Sequence, residues 1–272
     1  MSTVITDYLQ NRRQAVRIND QISSWAHVLS GVPQGSLLGP LLFLIFINDL
    51  PDSIFFSTAY LFADDLKLYI STSESDRLGL SQDIVAIMEW ISTNQMQLNI
   101  SKCQFLPLLS SRHEPIVLDT ITVTPRLVND LGLKIESNLN WATHIKHSIT
   151  KANRAYQLIR RNFSPSLPPR SKLNVFKTSI LPIVCYANQC WCPSKSSVAE
   201  LEKFHQRIAT WILPSHDYQS ALNILNALPL PYYMVLMDCL ILSRIINSEY
   251  ELYWQSHCKL NQSTSTTNSR GT

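Results

Sequence analysis

The stretch YLFADDLKLY, Tyr60 to Tyr69, decides the reading of this chain. Two adjacent carboxylates, Asp64 and Asp65, interrupt an apolar and aromatic run. Removing ionised carboxylates from water is costly unless something positive meets them. The flanks read as strands: STAYLF precedes the acids, and Leu66, Leu68 and Ile70 alternate with Lys67 and Tyr69 after them. This pattern predicts a β-hairpin with the acids at or beside its turn. Three uses of the pair compete. The acids could simply form the turn, one could be a general acid or base with its pKa raised by the other, or both could hold magnesium, a hard cation that prefers carboxylate oxygens.

Upstream lies GVPQGSLLGP, Gly31 to Pro40, which holds three of the six glycines of the chain. Glycine suits backbone that bends sharply or approaches another group closely. The apolar stretch that follows, through Leu50, predicts a helix beginning near Ser36 as its cap, with Pro40 in its early turns and Pro51 beyond its end. Residues 8–29 read as two extended segments joined by a turn in INDQIS. Downstream, 74–96 reads as a helix with Leu80, Ile84, Ile87, Met88 and Ile91 along one stripe. QLNISKCQFL is expected to return to a strand, 116–123 to form a short hairpin, and RLVNDLGLKI to form another strand. Beyond Glu136 the periodicity is helical, over about 141–161, 170–188, 195–213, 217–227 and 230–249. The fold class is α+β, with a mixed part over 1–136, an all-helical part over 137–250, and a polar tail, 251–272, expected to be disordered.

Charge supports that division. From Ser137 to Ala199 there is no Asp or Glu, and the same window holds nine basic residues: Lys146, Lys151, Arg154, Arg160, Arg161, Arg170, Lys172, Lys177 and Lys195. The chain as a whole is only +3, so everything outside the window is net acidic. A cationic helical segment of this kind suits a polyanion, with the side chains tracking phosphates. The alternative is a basic solvated surface with no ligand.

Several classes are disfavoured. The run LLFLIFI, Leu41 to Ile47, is far short of the roughly 20 residues of a membrane span. MSTVITDYLQNRR has no apolar core of the signal-peptide kind, so an intracellular protein, nuclear or cytoplasmic, is expected rather than a secreted one. The six cysteines form no CxxC pair and read as reduced structural residues. His144 and His147 share a helix face without a carboxylate or cysteine beside them and read as packed or solvated. A glycine-rich loop, an acid pair and a cationic helical segment together suit phosphoryl transfer on a nucleic acid, where two metal ions about 3.5–4 Å apart activate the attacking oxygen and stabilise the leaving one.

SGVPQGSLLGPLLFLIFINDLP followed by YLFADDLKLY resembles the reverse transcriptases of non-LTR (LINE-type) retrotransposons. LNISKC and LGLKIESNLNWATHI follow in the same order, and the resemblance covers about residues 5–250. It implies a right-hand polymerase: the C-terminal part of a palm over 1–136 and a thumb in the helical region. FADD stands where reverse transcriptases carry Tyr-x-Asp-Asp, so Phe62 replaces the tyrosine. The resemblance makes Asp64 a direct ligand of catalytic magnesium and Asp65 its supporting acid, with two Mg2+ ions in the complete enzyme and Mn2+ as an alternative. Pro33, Gln34 and Gly35 would line the pocket for the incoming deoxynucleoside triphosphate and the templating base, together with Phe62. Lys102 would protonate the departing pyrophosphate or simply contact a phosphate. Leu131 and Gly132 would form the primer-grip hairpin. Lys146, Lys151, Arg154, Arg160, Arg161, Lys172 and Lys177 would contact the backbone of an RNA template paired to a DNA primer.

Two departures bear on activity. Polymerases of this kind use a third carboxylate on a palm strand ahead of the PQG loop. Residues 1–30 offer only Asp7 and Asp20, neither in the family's F-x-x-x-x-A-F-D context. The fingers, which hold template and nucleotide phosphates, would also precede residue 1. The expected function is therefore an RNA-directed DNA polymerase segment. The alternative is a truncated, catalytically inactive piece that binds nucleic acid. A magnesium nuclease is the weakest reading, because no further acid or histidine cluster accompanies the pair.

Overall fold

The structure is a computed structural model of the whole chain, and it describes residues 2–70, 74–108, 116–118, 121–123 and 127–247. The expected disordered tail, 251–272, lies outside the described residues. The chain divides into two compact units, 1–103 with 117–123, and 104–116 with 124–272.

The first unit opens with α1 (Ser2–Leu9), which the sequence reading did not anticipate. Four very short strands follow, β1 (Arg13–Gln14), β2 (Arg17–Ile18), β3 (Gln21–Ile22) and β4 (Ala26–His27). β2 pairs antiparallel with β3 across the Asn19–Asp20 turn, and β1 pairs with β4 outside them. This is the expected pair of extended segments, interrupted midway. α2 (Leu38–Ile47) begins two residues after Ser36, whose Oγ accepts the Gly39 N–H at 3.0 Å. It runs into a 3-10 turn at Leu50–Ser53.

β5 (Thr58–Phe62) and β6 (Asp65–Tyr69) then form the predicted hairpin, in the register Ala59↔Leu68, Leu61↔Leu66 and Phe62↔Asp65. Side chains alternate across a strand, so Leu61, Leu66 and Leu68 share one face. That face packs with Phe43 and Ile47 of α2, Leu50, and Ile87, Trp90 and Ile91 of α3 (Glu74–Thr93). The expected strand at QLNISKCQFL is absent. Its centre is a 3-10 turn over Ile100–Lys102, with the Cys103 N–H returned to the Ile100 carbonyl. Asn and Ser in NIS favour such local bonding over a ladder. β7 (Ile116–Leu118) and β8 (Ile121–Val123) pair at the expected short hairpin.

The second unit begins its regular structure with a hairpin, β9 (Val128–Asp130) and β10 (Leu133–Ile135), turned at Leu131 and Gly132, where the residue pattern alone reads as one strand and the family resemblance implies a hairpin. Both turn residues have positive φ, 45° and 89°, the requirement of a tight two-residue turn. This hairpin groups with the helices, ahead of the break that helical periodicity and charge suggest near 137, because Leu133 packs into the helical core. The helices are α4 (Ala142–Asn162), α5 (Pro169–Val175), α6 (Leu181–Val184), α7 (Lys195–Ile212), α8 (Tyr218–Leu225) and α9 (Leu230–Ile246). The predicted helix 170–188 is broken by a π-turn at Phe176–Ile180. Pro182 lies just beyond, where its missing N–H and its ring disturb the preceding turn. Ser194 caps α7 and Asp217 caps α8, each accepting a backbone N–H three residues on.

The core of this unit gathers Ile145, Ala152 and Tyr156 of α4, Phe176 and Ile180 of the π-turn, Leu201, Phe204, Ile208 and Ile212 of α7, and Leu230 and Met234 of α9. Among the described residues no single helix is long and apolar enough to cross a membrane.

Candidate active site and nucleic-acid face

The hairpin turn answers the question raised by its sequence. Asp64 occupies the tip and Asp65 begins β6, and both are exposed. Leu61, Leu66 and Leu68 are half-buried on the other face, and neither carboxylate leaves water. Ala63 takes φ +53° at the turn, a conformation uncommon for a residue other than glycine. The register sets Asp65 opposite Phe62, on the face that also carries Tyr60 and Tyr69, whose rings meet edge-on at 5.5 Å. The result is an aromatic, solvent-facing surface with two carboxylates at one end.

What holds this hairpin was not read from the sequence. Asp83 of α3, 1% exposed, accepts the backbone N–H groups of Phe55 (2.9 Å), Phe56 (3.2 Å) and Ser57 (2.6 Å), immediately before β5. Gly79, one turn earlier, leaves room for Phe56, since a Cβ there would sit 2.6 Å from the Phe56 Cβ. The signal was present: a lone acid on an otherwise apolar helix stripe needs a buried partner.

The PQG loop is organised around Ser36. Its Oγ donates to the Pro33 carbonyl at 2.8 Å, accepts from Gly39 N–H and receives the Tyr8 hydroxyl of α1. Arg12 ties the start of the same loop, donating to the carbonyls of Leu9, Ser30 and Gly31. Gly31 and Gly35 have φ of +73° and +80°. Gly39 is buried because Pro33 O lies 2.9 Å from where its Cβ would be. Pro33 is half-buried, while Gln34, Gly35 and Phe62 are exposed. Lys102 is exposed at the end of its 3-10 turn.

The carboxylate pair offers the hard oxygen donors that magnesium takes alongside phosphate oxygens and water. Among the described residues no group of three His, Cys, Asp or Glu side chains could hold a metal ion. Asp64 and Asp65 therefore stand as a pair among the described residues.

In the second unit, α4 buries His144, Ile145, Ser148, Ala152 and Tyr156 and exposes Lys146, Lys151, Arg154, Arg160 and Arg161. An open groove of about 570 Å³ follows its exposed side, lined by Thr150, Asn153, Arg154, Gln157, Leu158 and Arg161. Arg207 of α7 reaches Asn153 Oδ1 at 3.1 Å. It lies outside the acid-free window, so counting charge along the chain missed it. Desolvation, followed by the cations Lys134, Lys151 and Arg154, holds His147 below the usual imidazole range. Lys177 is exposed. Lys172 departs from its expected role. It is buried, its Nζ donates to the Trp211 carbonyl at the end of α7 (3.4 Å), and it sits 5.7 Å from the centre of the Trp211 ring. A cation is favoured at a helix C-terminus and over an indole face, so this lysine serves the core rather than a backbone phosphate.

Residues 1–135 match the family described as Reverse transcriptase (RNA-dependent DNA polymerase). Together with the FADD hairpin and the PQG loop, this makes the chain a member of the reverse transcriptase family, of the non-LTR retrotransposon kind. Among its relatives, the probable RNA-directed DNA polymerase from transposon BS of Drosophila melanogaster is 28% identical over 222 residues, covering 75% of this chain and 24% of that protein. The probable RNA-directed DNA polymerase from transposon X-element of the same organism is 29% identical over 223 residues, with 77% and 24% covered. The RNA-directed DNA polymerase from mobile element jockey, also of Drosophila melanogaster, is 23% identical over 252 residues, with 81% and 26% covered. The likeness thus extends beyond residue 135 into the helical unit. The chain spans about a quarter of the length of these curated relatives. No solved structure matches it.

Proposed function

We propose that this chain is part of an RNA-directed DNA polymerase that adds deoxynucleotides to a primer 3′-OH on an RNA template. In this reading the first unit is the C-terminal portion of a palm and the helical unit is the thumb. The observation that carries it is the FADD turn, with two carboxylates free in solvent at the tip of a hairpin whose other face is locked into a core. Asp64 and Asp65 would hold the catalytic magnesium ions, which supply charge stabilisation for the attacking and leaving oxygens. The chain's own residues do the positioning. Asp83 and the core fix the hairpin, Ser36 and Arg12 shape the loop beside the incoming nucleotide, and Lys102 offers a cation to a phosphate. The cationic face of α4 holds the duplex backbone.

A second reading, a catalytically inactive nucleic-acid-binding piece, is favoured by one observation: the described residues provide no third carboxylate beside the pair. One experiment separates the two. Fused to the upstream polymerase portion of a transposon BS relative, the chain should extend a DNA primer on RNA, and Asp64→Asn should lower the rate by several orders of magnitude. In parallel, Mn2+ should broaden the amide resonances of residues 62–66 in the chain alone, and not in the Asn variant. Near-normal extension by Asp64→Asn would remove the catalytic assignment. An inactive fusion whose amides ignore Mn2+ would favour the binding piece.

A further inference from the structure

We propose that Tyr186 is a positioning residue for the 3′ end of the primer, acting through the Leu131–Gly132 turn. The inference rests on reading that turn as the element that touches the primer. The Tyr186 hydroxyl donates to the Leu131 carbonyl at 2.7 Å, across 55 residues of sequence. Its ring covers the next residue, since a Cβ on Gly132 would lie 3.4 Å from the ring edge. Tyr186 is half exposed, so its hydroxyl has water available and does not need this bond to satisfy burial. The turn does need support, because Leu131 is held at φ 45°, where a side chain other than glycine's is disfavoured.

The contact is one side of a closed circuit. At the other end of the hairpin, the Lys134 N–H donates to His144 Nδ1 at 3.3 Å. Accepting there leaves the ring proton of neutral His144 on Nε2, which is buried without a hydrogen-bond partner. That imidazole meets the Trp191 ring edge-on at 5.5 Å. Trp191 in turn donates its Nε1–H to the Tyr186 carbonyl at 3.1 Å. The path runs from the turn to Tyr186, to Trp191, to His144, and back into the hairpin at Lys134. Leu131 and Gly132 remain exposed at the tip. The hairpin is clamped behind and open in front, as an element that places a ligand must be. Small displacements of a reacting end are costly in rate, about a hundredfold for 1 Å, which gives such a clamp its purpose.

Tyr186→Phe in the full 272-residue chain removes only the hydroxyl. Two readouts separate the clamp from the reading beneath it. Hydrogen exchange of amides 131–135 should quicken by about fivefold or more, reporting local opening of the hairpin. A primer carrying 2-aminopurine at its 3′ terminus should lose about half or more of its fluorescence change on binding, since the reacting end is no longer held. A probe well inside the duplex, the overall affinity and the circular dichroism should be unchanged. Unchanged exchange and an unchanged terminal signal would overturn the proposal. Faster exchange with an unchanged terminal signal would also overturn it, leaving the bond a purely structural one. If the terminal probe is silent even on the parent chain, the reading of the turn as a primer contact falls, and the proposal with it. Exchange would still show whether the bond exists.

Discussion

The Asp83 carboxylate receives the Ser57 backbone N–H at 2.6 Å, so a buried acid on α3 fixes the chain just before the strand that leads to Asp64. Burial pushes this carboxyl up, but the hydrogen bonds from Phe55, Ser57 and Phe56 outweigh it and hold the group below the usual carboxylate range. Asp83→Ala would leave three part-buried backbone N–H groups without their carboxylate partner, each loss costing about 1–3 kcal/mol and not fully additive. A loss of about 3 kcal/mol is expected, seen as faster hydrogen exchange throughout β5 and β6 with the helical unit unaffected. Because the folded pKa is depressed, the stabilisation is present above the unfolded value near 3.8 and lost as pH falls through the folded one. Protection of β5 and β6 in the parent chain should therefore decline in acid below about pH 4, and the Ala variant should lack that component. An Ala variant with parental protection would show that the three bonds carry little.

A second buried polar cluster governs the helical unit. His205, stacked on Phe176, shares its Nδ1 with the Tyr218 hydroxyl at 2.8 Å, and that hydroxyl donates to Glu202. With the hydroxyl proton given to Glu202, Nδ1 must donate, which fixes the proton on Nδ1, and burial keeps the ring in its neutral form. Burial pushes His205 from 6.5 to about 4. Between those values the unfolded chain binds a proton that the folded one refuses, so stability is full above about pH 6.5 and falls on the way to about pH 4, by about 3 kcal/mol. His205→Phe keeps the stack on Phe176 and removes the titration. Its helical unit should lose much less stability over that pH range, measured by urea unfolding. An acid limb as steep as the parent's would assign the effect to other groups.

Much of this was legible in the sequence, for identifiable reasons. Alternation around Asp64 and Asp65 gives the hairpin and puts the acids at or beside its turn, because period two is unambiguous where one face is apolar. The helical spans after 137 follow from long amphipathic repeats, which are the strongest local signal. The misses share a cause, in that they depend on contacts between residues far apart in the chain. Asp83 gains its meaning only from Phe55–Ser57, and Tyr186 only from Leu131. Lys172 counts as one more cation in sequence and becomes a buried one only when α7 ends above it. The short strand expected at Lys102 failed through turn chemistry, with Asn99 and Ser101 bonding locally.

His147 gives a direct test of the field along α4. Lys134, Lys151 and Arg154 oppose its protonation. Phosphates bound to those cations would relieve the opposition and raise its pKa, so the complex should take up a proton. By linkage, affinity for duplex should rise as pH falls through the range where His147 titrates. NMR titration of the imidazole with and without duplex measures the shift. An unmoved pKa would place the duplex away from this end of the helix.

The exposed cations of α4 predict how binding responds to salt. Lys146 and Arg161 are fifteen positions apart, roughly 22 Å along a helix, enough to span several phosphates. Each phosphate neutralised releases counterions, so the log–log slope of affinity against salt should be about −0.9 per contact on B-form duplex. Replacing Arg160 and Arg161 together by Ala should weaken binding to all sequences alike and flatten the slope by about one to two units. The helix should survive, since Ala is the better helix former. Arg207, which donates to Asn153 Oδ1, should add a further part of the slope when replaced by Ala, although it lies outside the acid-free window. Lys172→Met is the discriminating control. Its ammonium is already committed to the Trp211 carbonyl and ring, so the variant should change stability and leave the slope alone. The measurement is affinity of the full chain for a primer–template duplex over a range of salt. A slope near zero, or one that Lys172→Met flattens as much as the Arg160 and Arg161 pair, would mean that the α4 face is not where the backbone binds.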